Sequence, residues 1–164
     1  MAKARPIPGL ARDTRFGAAA AAAVEVRSAE VFEHARGVLD IGDIERVHDM
    51  RVATRRLRAA LEVFAACFPR KRHRRLLAEV KALADALGQR RDPDVAIEEL
   101  TKVADGLGAA ERPGIAGLIG EFRAEQLGGN RTLAQMLVHV HESGLEDRLT
   151  ELARSARAEQ ERTA

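Results

Sequence analysis

Between residues 44 and 64, Met50, Ala53, Leu57, Ala60, Leu61 and Phe64 recur at three- and four-residue intervals. That spacing is the apolar face of an α-helix. His48, Arg51, Arg55 and Arg58 fall on the other side. At 100° per residue they form one stripe roughly 80° wide. Asp43 is placed to cap this helix, which runs to about Cys67 before Phe68-Pro69 stops it.

The same period continues on both sides. An Ala-rich segment predicts a first helix from Asp13 to Leu39, capped by Asp13 or Thr14, with Ile41-Gly42-Asp43 as the turn. Leu76, Leu77, Val80, Leu83, Ala84 and Leu87 predict a third helix over 70–87 that Gly88 ends. After a link at Gln89-Arg90-Arg91, Asp92-Pro93 reads as an N-cap followed by a first-turn proline and starts a fourth helix to Val103. Gly106, Gly108, Pro113, Gly114, Gly117 and Gly120 then interrupt the pattern. Helices are expected over 114–127, 130–142 and 144–160, with Gly128-Gly129 as a break or a kink. No strand alternation occurs, and the short links favour antiparallel neighbours. The expectation is an all-α antiparallel bundle over 11–164, preceded by a flexible arm over 1–10.

Composition narrows this picture. The 164 residues suit a single domain with a real core, 46% are hydrophobic, and only 3% are aromatic. The core must therefore be built from Ala, Leu, Val and Ile, and the aromatic platforms of single-strand nucleic-acid binders are missing. The net charge of +2 conceals an asymmetry. Residues 44–92 hold 13 basic and 6 acidic side chains, against 14 and 19 in the remainder. A basic segment in a near-neutral chain points to a localised anion site.

Cys67, the only cysteine, excludes an intramolecular disulfide and suggests a reducing compartment. The Ala18–Val24 run is flanked by charges and reads as helix, not as a signal core. No stretch approaches the roughly 20 apolar residues of a membrane span.

Aligning like charges costs helix stability, so the stripe calls for an anionic ligand. Other chemistry is not indicated. His139 and His141 stand two apart on a helix, and His34, His48 and His73 lie in separate elements, so no metal site is expected. Asp92 and Asp94 are accounted for as a cap and a first-turn acid. With no phosphate loop and no nucleophile–base pair, a non-catalytic protein without a cofactor is expected.

The strings VHDMRVATRRLRAAL (47–61) and LADALGQRRDPDVAIEEL (83–100) resemble the CHAD family, the conserved histidine α-helical domain. The first matches its His-x-x-Arg-Val-x-x-Arg-Arg-Leu-Arg helix and the second its Leu-Gly-x-x-Arg-Asp-x-Asp-Val link, in the family's order and separation. The match is firm over residues 40–103 and weaker outside them. The resemblance implies a helical bundle binding inorganic polyphosphate in a basic channel, in the cytoplasm and in some members beside polyphosphate granules. The implied site residues are His48, Arg51, Arg55, Arg56 and Arg58 on the basic helix, Lys81 on the next, and Arg91 in the link. Arg74 joins them from the run Arg70-Lys71-Arg72-His73-Arg74-Arg75, because Arg70, Arg74 and Lys81 share a helix face. The rest of that run reads as a solvated helix start, an outer funnel for polyphosphate, or a nucleic-acid patch.

Such a ligand suits the residues. Polyphosphate carries charge but no bases, so its receptor needs a row of cations and no edge-reading code. Each Arg forks hydrogen bonds onto phosphate oxygens, His48 adds a donor, and binding should weaken steeply with salt. Family members commonly pair two related halves, whereas this chain shows one copy of the basic helix. A half-length form is therefore expected, either pairing as a homodimer to rebuild the channel or presenting an open site. The alternatives are a helical nucleic-acid-associated protein and an adaptor whose basic face docks an acidic partner.

Overall fold

An alanine run can form a helix that packs closely on two sides at once, because its side chains hold neighbours at short range. In the computed structural model, which describes residues 3–162, α1 (Phe16–His34) does this. It buries Ala20, Ala21, Ala23, Val24 and Val31 between α2 (Ile44–Val63) and α5 (Leu145–Arg162). Between them come α3 (Arg70–Asp105) and α4 (Arg112–Glu142), with a 3₁₀ turn at Ala65–Cys67. α2 packs on α1 and α3, and α3 packs along most of α4. The core between them is aliphatic: Leu57, Leu61, Leu76, Leu83, Leu87, Leu133, Leu149 and Leu152 are each at most 1% exposed. Each such side chain contributes about 1.5–3 kcal/mol of burial. This is the expected all-α antiparallel bundle, and among the described residues there is no strand. No described helix is long and apolar enough to cross a membrane.

Several boundaries differ from expectation. α1 begins at Phe16 and not at Asp13, because Thr14 is used in a turn, accepting from the Ala11 amide and donating to the Gly9 carbonyl. It ends at His34, and Gly37 turns the chain with a positive φ of 71° that a Cβ would disfavour. Asp43 precedes α2 but makes no cap hydrogen bond; its carboxylate pairs with Arg46 at 2.9 Å. In the segment read as a flexible arm, Arg5 is held: its amide donates to Glu30 at 2.6 Å and its guanidinium pairs with Glu33.

The larger corrections concern α3 and α4, each a single helix. Gly88 does not end α3, and Asp92-Pro93 does not start a new helix. Pro93 has no N–H for the Gln89 carbonyl, a defect of about 3 kcal/mol in a lone helix. The α3–α4 interface offsets it. Arg90, fully buried, donates to Asp94 at 2.5 Å and to Asn130 at 3.1 Å. Gln126 donates to Asp94 at 2.6 Å, and Asn130 donates to the Leu39 carbonyl at 3.0 Å. Asp94 is thus a buried counter-ion and not a first-turn acid.

Gly128-Gly129 does not break the chain into two helices, since α4 runs through both. Gly129 lets α4 approach α3 so closely that a Cβ there would lie 2.8 Å from the Gln89 carbonyl oxygen, the acceptor freed by Pro93. Beyond this point residues 95–127 form the far end of a hairpin, where Val95, Val103, Leu118 and Leu127 are exposed. Gly144, with a φ of 61°, joins α4 to α5.

Candidate functional site

The helix period that buries Met50, Ala53, Leu57 and Leu61 of α2 turns His48, Arg51, Arg55 and Arg58 away from the core. Arg55 and Arg58 are exposed, while His48 and Arg51 are half-buried. Their backbone sites span ten helical steps, about 15 Å of helix. Arg55 and His48 have no ion pair or hydrogen bond among the described residues, and the Arg51 Nε is buried without a partner.

The antiparallel packing of α2 on α3 brings Lys81 to the end of this row. Glu62 sits between them, accepting from Arg58 Nε at 3.0 Å with Lys81 Nζ at 3.3 Å from the same oxygen. These two contacts hold the Glu62 carboxyl below its ordinary range, the Arg58 bond contributing most. Glu62 was not among the sequence candidates, although it continues the stripe one turn beyond Arg58.

Arg91 lies on the half-buried part of α3, its side chain 12% exposed. It is 3.8 Å from Asp94 and 3.5 Å from Glu98, yet its Nε and Nη1 are buried without hydrogen-bond partners. The same holds for Arg90 Nη2 and Arg148 Nε, so buried guanidinium nitrogens of this kind are not confined to the row. The adjacent Arg90 is the one the core consumes. Its i,i+4 spacing to Asp94 was the available signal, and the helix start read at Asp92-Pro93 obscured it.

Two candidates stand apart from the row. Arg56, one residue beyond Arg55, turns about 100° away. Its charge acts on Glu30 of α1, an acid buried with Arg27 at 2.8 Å. Burial alone would raise the Glu30 pKa, but the Arg5 amide and the Arg27 guanidinium outweigh it and leave it lowered. Arg74 is exposed near the start of α3, on the face of Lys81 but about two turns away. Its neighbour His73 is structural, donating from Nε2 to the Leu61 carbonyl at 2.8 Å and stacking on Phe68.

The arrangement can bind anions by charge and by forked hydrogen bonds along an open track. Among the described residues no group of three His, Cys, Asp or Glu side chains is disposed to hold a metal. Burial raises the Cys67 pKa, which disfavours a nucleophilic thiolate.

A family model described as CHAD domain matches residues 22–164, nearly the whole chain. No curated protein and no solved structure matches it.

Proposed function

The chain belongs to the CHAD domain family, which is linked to polyphosphate binding, and from this we propose that it binds inorganic polyphosphate non-catalytically along the α2–α3 track. The observation that carries this reading is the row His48, Arg51, Arg55, Arg58 and Lys81, with Glu62 as the carboxylate paired into it. A row of cations kept in register against mutual repulsion is matched by a ligand with regularly repeated charge. The exposed guanidinium groups of Arg55 and Arg58 can fork hydrogen bonds onto phosphoryl oxygens. We assign the direct contacts to His48, Arg51, Arg55, Arg58, Lys81 and Arg91. Arg56 acts on the α1 side, through Glu30.

The aromatic-poor composition disfavours nucleic acid as the ligand. The working state we propose is a homodimer that brings two tracks together, in the cytoplasm and at polyphosphate granules. The test is titration with long-chain polyphosphate while oligomeric state is read by light scattering. Arg51→Ala and Arg55→Ala should each weaken binding with helicity retained. Normal binding by both variants places the site elsewhere. Full-affinity binding by a monomer removes the dimer. Displacement of polyphosphate by nucleic acid at equal phosphate concentration favours the nucleic-acid reading.

A further inference from the structure

The first two turns of α3 carry Arg70, Lys71, Arg72, Arg74 and Arg75, all exposed. None forms a hydrogen bond or ion pair among the described residues. Arg75 acts on the charge of Glu79, and Glu79 is already bridged to Arg148. These cations repel one another and oppose the positive end of the helix dipole. They also line two adjoining clefts. One, of about 540 Å³, is bordered by Lys71, Arg72, Arg75 and Arg148, with Glu151 as its one acid. The other, of about 790 Å³, is bordered by Arg70, Lys71, Arg74 and Arg75. Lys71 and Arg75 belong to both, so the clefts form one basic belt around this end of the helix.

The belt connects to the track in one direction only. Arg74 and Arg70 lie within about 20° of Lys81 around the α3 axis, so their row continues the cations at the Arg58 end. The opposite end is closed by charge. Arg91 meets Glu98 there, and the hairpin of residues 95–127 carries six acidic and three basic side chains. A polyanion lying in the track is repelled from the hairpin and drawn toward the start of α3.

On the premise of the polyphosphate reading, we propose that the start of α3 is a second binding station for the same polymer. It is engaged only by chains long enough to leave the track past Lys81. From Lys81 to Arg70 is eleven residues, about 16 Å along the helix, beyond the roughly 15 Å occupied by the α2 row. Once the track holds one part of a chain, contact with the belt becomes intramolecular and is favoured by effective concentration. The protein thereby discriminates polyphosphate by length.

The test compares inorganic tripolyphosphate with long-chain polyphosphate on the full chain and on the variant Lys71→Gln/Arg75→Gln, whose side chains are exposed. The wild type should bind the long chain with the steeper salt dependence. The variant should lose about tenfold in long-chain affinity at 0.15 M salt, with a slope shallower by about 1.4, and bind tripolyphosphate unchanged. Unchanged long-chain affinity in the variant, or an equal loss for both ligands, overturns the second station. If the wild type binds neither ligand, the polyphosphate reading fails and this inference falls with it.

Discussion

Glu62→Gln should tighten polyphosphate binding. The carboxylate is bound to Arg58 at 3.0 Å and lies 3.3 Å from Lys81, and those contacts lower its pKa further below neutral. A polyphosphate chain must compete with it for two cations of the track. Glutamine keeps the size and removes the charge. Counterion release on single strands amounts to about 0.7 in log–log slope per neutralised phosphate, so at 0.15 M salt each freed cation is worth about fourfold in affinity. Freeing both gives an upper bound of about fifteenfold and a slope steeper by about 1.4. The fold should be nearly indifferent, because both pairs are exposed and screened. Calorimetric titration with long-chain polyphosphate at several salt concentrations measures affinity and slope together, and thermal unfolding of the same samples checks the fold. Weaker binding, or an unchanged slope in a stable variant, would refute the reasoning. Arg58 and Lys81 would then not reach the ligand, or would reach it only when Glu62 orients them.

Three further predictions concern the scaffold. Asp94→Ala leaves the buried Arg90 without its counter-ion and should cost about 3–5 kcal/mol, read as a fall of roughly 10 °C or more in Tm. Gly129→Ala places a Cβ against the backbone of Gln89 and Arg90 and should destabilise by about 1–3 kcal/mol, whereas Gly128→Ala meets only the end of Arg131 and should gain up to about 1 kcal/mol. Equal effects in chemical denaturation would contradict the close approach.

The third is acid sensitivity. The hydrogen bonds from Arg148 hold the Glu79 pKa below its ordinary 4.5 despite partial burial. With the folded pKa depressed, the unfolded state binds the extra proton first. The contribution is therefore complete above about 4.5 and is lost as pH falls through that value toward the folded pKa. Glu79→Gln should lower the urea midpoint at about pH 6 more than at about pH 4. A parallel shift at both would show that the bridge does not stabilise the protein.

The amphipathic period of α2 was legible because it is local. A 100° turn per residue is enough to place Met50, Leu57 and Leu61 inward and His48, Arg51, Arg55 and Arg58 outward, and the same rule sets Arg56 apart. The all-α class and the family strings followed from equally local patterns. Helix continuity was not local. Gly88, Pro93 and Gly128-Gly129 each argue for an end when weighed alone, at about 1 kcal/mol for glycine and 3 for proline. What overrides them is spread along the α3–α4 interface: Arg90 against Asp94 and Asn130, Gln126 against Asp94, and the passage of Gly129 over the carbonyl that Pro93 leaves free. The site divides in the same way. The row of cations and its Glu62 were written in one helix, but tertiary packing brought Lys81 to Glu62 and buried Arg90 wholly and Arg91 in large part. Periodicity is decided by neighbours in the chain, whereas the continuity of α3 and α4 is decided by residues 30 or 40 positions apart, Gln126 on Asp94 and Asn130 on Arg90, whose distance only the folded packing sets.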